Sequence, residues 1–116
     1  MRMWMVNPEF LCRKHLLGEH LECGHMLPGA INNGKIGSLV GLAKNRLIEV
    51  SKIKERHEKL VLEMQNRGYS HKSDLPEFSL DSVPDILLNI TVDQNKSISD
   101  LCERCEECKK RIALKG

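Results

Sequence analysis

Aromatic side chains are scarce: Trp, Tyr and Phe make up 3% of the 116 residues. RNA-binding sheets and single-strand grooves stack bases on rows of such rings, so those modes are excluded, while phosphate contacts stay open. Long apolar runs are lacking too. No stretch approaches the roughly 20 apolar residues of a membrane span, and the opening MRMWMVNPEF has no signal-peptide apolar region, so an intracellular, cytoplasmic protein without a membrane partner is expected. Nor is charge of one sign in excess, since the net charge of +2 diagnoses no partner. Its distribution is uneven, with 11 basic against 7 acidic residues over 1–70 and 2 against 5 over 71–96. One phosphate-facing side and a solvated charged surface both fit that pattern. GxSxG turns, Walker loops and Cys/His signatures of familiar spacing are absent, so no familiar side-chain nucleophile stands out.

The five cysteines are odd in number and scattered at 12, 23, 102, 105 and 108, unlike a secreted disulfide framework. A reducing compartment follows. The length suits one domain with a single core, and the periodicity predicts an all-α fold. Helix one is expected over about 8–32, because Asn7 can cap, Pro8 suits the first helical position and Glu9 favours the positive helix end. A bend is expected between Gly24 and Pro28, and NNGK at 32–35 should end the helix. Helix two, about 43–67, follows from apolar positions at 50, 53, 60, 61 and 64 with semi-apolar His57, and Gly68 closes it. An irregular connector, 69–96, should pack Phe78, Leu80, Ile86, Leu87 and Leu88 on the helices, and helix three, about 98–114, should be capped by Ser97 or Ser99. The architecture expected is a compact single domain of three main helices with the connector before the last.

Chemistry concentrates in CRKHLLGEHLECGH, residues 12–25. His15, Glu19 and Glu22 (i, i+4, i+7) share one helical stripe. Two readings stay open: the carboxylates capture basic residues of helix two or lie in solvent, or one of them faces a nucleophile or a developing cation. A ferritin-like carboxylate site needs similar contributions from several helices, and no second such helix is present. The motif CERCEEC falls inside a predicted helix, whereas zinc knuckles place CxxC in a turn and need four ligands. Cys102, Cys105 and Cys108 are therefore read as small apolar core positions and no metal is expected; a site completed by Cys23 or His25 is the alternative. On helix two, Lys44, Arg46, Lys52, Lys54, Arg56 and Lys59 are expected to face outward, as a solvated face or a phosphate-binding one.

A different nucleophile is available at the start of the chain, where MRMW leads directly toward helix one. A free α-amine has a pKa of about 7.7–8.0 against about 10.4 for lysine, so its neutral fraction near pH 7 is larger by roughly a few hundred-fold. Arg2 is too bulky for the usual removal of the initiator methionine, so the amine is expected to remain on Met1. Trp4, close to it, suits the core, with contact to a lesion as the other reading.

The segments KHLLGEHLEC, NGK at 33–35 and EMQNRGY resemble the pyrimidine-dimer DNA glycosylases with abasic-site lyase activity, typified by phage endonuclease V. The likeness resumes weakly at SISDLCERC. It implies a three-helix protein whose N-terminal segment threads between helices and brings the α-amine beside a helix-one glutamate. In that family the amine attacks the anomeric carbon, the base leaves, and the imine permits β-elimination of the 3′ phosphate. By position, Met1 and Glu22 match the catalytic pair, and Arg2, His15 and Glu19 match residues lining the pocket. Leu21 and His25 stand where the family carries further helix-one arginines, and its Tyr-rich C-terminal tail is missing. His25 is kept as a lining or DNA-binding candidate, and Lys52, Lys54 and Arg56 as replacement phosphate contacts.

The resemblance thus implies a cofactor-independent, metal-free DNA-repair glycosylase and lyase. It would act as a monomer on damaged double-stranded DNA, in the cytoplasm at the nucleoid. Two rivals are a non-catalytic helical DNA- or protein-binding module and a zinc-stabilised regulator.

Overall fold

A computed structural model describes residues 1–70 and 74–115. Residues 71–73 of the expected connector lie outside them. The described residues are helical, with no strand. Asn7 caps a 3-10 turn, Pro8–Phe10, by accepting from the Glu9 N–H. Cys12 then caps α1 (Arg13–Leu21) through its sulfur, which accepts from the His15 N–H. A π turn, Glu22–Met26, continues without interruption into α2 (Leu27–Asn32).

The chain widens into this π turn where a bend was expected. The physical reason lies in Pro28, whose ring would collide with the Gly24 carbonyl in a regular α-helix and which has no N–H to offer it. A π turn before the proline relieves both problems, and such turns recur at functional sites. Gly24 has a second task. A Cβ there would sit 2.9 Å from the His57 ring, so the absence of a side chain lets α4 come close.

Gly34, at φ +71°, ends α2 in the left-handed region. The second expected helix, 43–67, starts late, as α4 (Ile53–Asn66); an additional helix, α3 (Gly37–Lys44), forms mostly before the expected range, and an irregular stretch and a 3-10 turn, Val50–Lys52, separate the two. Gly68, at φ +81°, follows α4 as expected. The connector contains a short helix, α5 (Asp85–Leu88), which buries Leu87 but leaves Ile86 65% exposed. Val83 and Val92 are the other buried anchors among the described residues there. The last helix also divides, into α6 (Gln94–Arg104) and α7 (Glu106–Lys115). Asp93, not Ser97 or Ser99, caps α6 by accepting from the Lys96 N–H, which leaves Ser97 inside and buried.

The N-terminal segment runs through the core. Met3, Trp4 and Val6 are buried with Leu16, Ile48, Ile53, Leu60 and Leu101 around them in one cluster. Polar contacts fix its path: the Met3 N–H donates to the Leu47 carbonyl at 2.8 Å, and Arg56 donates to the Val6 carbonyl at 2.6 Å. Between them Met5 takes φ +56°, the left-handed region, which costs a non-glycine residue about 1–3 kcal/mol and is held by the anchors on either side.

Candidate active site

Glu22 opens the π turn and stands half-buried at the end of α1. Its Oε2 accepts the Arg2 backbone N–H at 2.7 Å. Covalent geometry then confines the Met1 α-amine to within about 3.7 Å of that nitrogen, hence to roughly 6 Å or less of the carboxylate. Met1 is 40% exposed and Glu22 half-buried, so the pair lies where the surface meets the core. Burial pushes the Glu22 carboxyl above its ordinary value, opposed by the Arg2 N–H and by the charge of the N-terminal ammonium. A carboxylate of raised basicity beside a primary amine can exchange protons and stabilise a cation.

Arg2 contributes its backbone to this arrangement and its side chain to a brace. The guanidinium lies 4.0 Å from the centre of the Trp4 ring and pairs with Asp100 of α6 at 2.8 Å. That side-chain hydrogen bond holds the Asp100 carboxyl below its usual range. Trp4, 8% exposed, in turn meets His15 edge to face at 5.6 Å. Asp100 carries no sequence signal, since its partner is 98 residues away.

The stripe His15, Glu19, Glu22 is divided among three tasks. Glu19, 1% exposed, is held by Arg56 in a two-pronged ion pair, Nε to Oε2 at 2.6 Å and Nη2 to Oε1 at 2.9 Å. Arg56 is therefore not an outward residue as expected; it is 3% exposed, and its guanidinium is occupied by Glu19 and Val6. It lies three residues after Ile53 and four before Leu60, both buried, so the apolar period of α4 itself places it inward. His15 turns to sulfur: its Nδ1 is 3.1 Å from Cys12 Sγ and 3.4 Å from Cys108 Sγ. Burial, aided by the Lys14 charge, holds His15 below the ordinary imidazole value.

The remaining candidates are at the surface. Lys52, which approaches Glu55 at 3.5 Å, and Lys54 are exposed, as are Lys44, Arg46 and Lys59. His25 is exposed on a cavity of about 420 Å³ that also involves His20, Gly24, His57 and Asp74. His20 stacks on His57 at 4.9 Å. Cys23, beneath the π turn, is buried, and this burial, then Glu19, pushes its thiol well above the ordinary range. It is an inert core group, and with His25 it stands apart from the other sulfur-rich cluster.

The CERCEEC reading needs correction. The segment is not one helix, because Cys105 is extended (φ −140°, ψ 110°) and separates α6 from α7. Cys105 and Cys108 thereby meet Cys12 and His15 of the first helix, while Cys102 stays outside that group.

No helix among the described residues is long and apolar enough to cross a membrane. A family model described as pyrimidine dimer DNA glycosylase matches residues 1–77. No curated protein and no solved structure matches the chain.

Proposed function

The chain belongs to the pyrimidine dimer DNA glycosylase family, and from that premise we propose that it is a glycosylase and abasic-site lyase whose nucleophile is the Met1 α-amine and whose essential carboxylate is Glu22. Its substrate is damaged duplex DNA. The observation that carries the reading is the 2.7 Å hydrogen bond from the Arg2 N–H to Glu22 Oε2, which keeps the first residue of the chain beside that carboxylate.

In this reaction the neutral amine attacks C1′ of the damaged nucleotide and the glycosidic bond breaks, the base leaving with the electron pair and gaining a proton. The nitrogen, now bonded to C1′, becomes an iminium as the sugar ring opens. Removal of a proton from C2′ then expels the 3′ phosphate by β-elimination, and water releases the amine. Glu22 serves by accepting and returning protons and by opposing the positive charge of the iminium. A unit charge pair about 6 Å apart at an effective dielectric of about 20 is worth about 3 kcal/mol, or about 100-fold in rate. The nucleotide must leave the stack for the amine to reach it, and a damaged pair lowers that cost.

Around this pair, Arg56 and Glu19 act as positioning residues for the N-terminal segment, Arg2 contributes its N–H, and the exposed Lys52 and Lys54 contact phosphates. The protein works as a monomer at the nucleoid, with no cofactor in the chemical step. A test is strand cleavage of a duplex carrying one abasic site by the untagged chain, by a chain with one extra N-terminal residue, and by Glu22→Gln. The untagged chain alone should cleave efficiently. Equal cleavage by all three would overturn the assignment, and no cleavage by any would favour a non-catalytic DNA-binding module.

A further inference from the structure

The sulfur-rich cluster at the other end of α1 is built from two copies of one local device. Cys12 caps α1 and its sulfur accepts the His15 N–H at 3.5 Å; Cys105 precedes α7 and its sulfur accepts the Cys108 N–H at 3.5 Å. In each, a cysteine stands at a helix start and a second ligand-type residue, His15 or Cys108, follows three positions later. The two helix starts meet at these side chains, so the positive ends of two helix dipoles converge on one group of potential ligands. A further backbone N–H, that of Cys12, donates to Cys108 Sγ at 3.2 Å.

The side-chain geometry matches a tetrahedral ion. Metal–sulfur bonds of about 2.3 Å and a metal–nitrogen bond of about 2.0–2.1 Å place neighbouring ligands about 3.8 Å apart for two sulfurs and about 3.6 Å for sulfur and nitrogen. The observed separations are 3.8 Å for Cys105 Sγ to Cys12 Sγ, and 3.1 and 3.4 Å from His15 Nδ1 to Cys12 and Cys108. All four ligand atoms lie within 4.8 Å of one another. Cys105 adopts its extended conformation with neither proline nor glycine to break the helix, and the result is to bring its sulfur into this group.

We propose that Cys12, His15, Cys105 and Cys108 bind one zinc ion as a closed structural site. Three thiolates and a neutral imidazole are a donor set that selects zinc over hard cations, and four protein ligands leave no open position for water or substrate. Binding converts three thiols to thiolates and releases their protons to solvent, with no change of oxidation state. The ion would join α1, which leads into Glu22, to residues beyond the 77 that the family model covers. It would also fix the His15 ring under Trp4, on which Arg2 rests. The ion takes part in no step of the lyase chemistry, and the readout of the site is the metal itself.

The test uses the full chain expressed with zinc in the medium, its metal content measured after exhaustive dialysis, and Co²⁺ titrated into the chelator-stripped protein. About one zinc per chain is expected, together with an intense tetrahedral cobalt spectrum bearing thiolate charge-transfer bands. Cys102→Ser should leave both unchanged. Cys105→Ser and Cys108→Ser should weaken binding by more than about 100-fold, beyond what loss of an outer-shell partner costs. Should those variants not fold, the wild-type cobalt spectrum decides alone, because a weak octahedral spectrum without charge-transfer bands overturns the site. Metal-free native protein, or a thiol count two short of the five cysteines through a Cys12–Cys105 disulfide, overturns it as well.

Discussion

Replacing Arg56 by Ala would leave the Glu19 carboxylate, 1% exposed, with neither of its two charged hydrogen bonds, and would strip the Val6 carbonyl of its donor. Breaking a buried ion pair from one side costs about 3–5 kcal/mol, because the survivor is an uncompensated charge in a poor solvent. At this chain length that corresponds to a fall in Tm of about 12–20 °C. Removing both charges tells a different story. Glu19→Leu with Arg56→Met replaces the pair by apolar groups of similar volume, and such exchanges are often neutral. The double variant should therefore recover most of the loss, measured by urea unfolding of both singles, the double and the wild type. Its activity should not recover, since the Val6 carbonyl still lacks its donor and the N-terminal segment its anchor. A loss below about 1 kcal/mol in Arg56→Ala, the level of an exposed ion pair, would refute the buried-pair reasoning and return Arg56 to the surface.

Glu22→Gln should cut abasic-site cleavage by about 100-fold or more while leaving the helical content intact, as read by single-turnover kinetics and circular dichroism. The raised Glu22 pKa fixes the sign of a stability effect: its contribution is present below the ordinary value of 4.5 and lost as pH rises through the raised folded value. Unfolding at pH 7 should accordingly show Glu22→Gln at least as stable as the wild type, and the acid limb of the wild-type pH–rate profile should lie above pH 4.5. Gly24→Ala inserts a Cβ 2.9 Å from a His57 ring that is itself stacked on His20, so it should cost about 1–3 kcal/mol in chemical denaturation. Lys52→Ala and Lys54→Ala should each reduce the slope of log affinity for duplex DNA against log salt by roughly 0.9, whereas Lys115→Ala, distant in sequence from α4, should leave it unchanged.

Much of the fold was legible because its signals are local. Gly34 and Gly68 mark helix ends in the sequence and do so in the structure, whereas Asn7 and Pro8 open only a 3-10 turn and the first α-helix begins later, at Arg13. The late start of the second expected helix and the division of the third were not legible, because each depends on contacts with distant residues. Nothing near Cys105 breaks a helix; its conformation makes sense only with Cys12 and His15 opposite, about 90 residues away. A clue existed in the equal spacing of Cys12 with His15 and of Cys105 with Cys108. Arg56 was misassigned by its charge although its position on the apolar stripe of α4 argued for burial, and the Glu19 stripe left room for such a partner. Asp93 outcompeted Ser97 and Ser99 as the α6 cap for a local reason, being an Asp one turn earlier with a free N–H to accept.

The central claim is that an amine at the start of the chain does the chemistry beside Glu22, and borohydride trapping tests it most directly. The protein would be reduced with borohydride while bound to duplex DNA containing one abasic site, and the adduct digested and mapped by mass spectrometry. A modification on the Met1 α-nitrogen, lost when one residue is added before it, is the predicted result. An adduct on a lysine side chain, or trapping indifferent to that extension, would contradict the account.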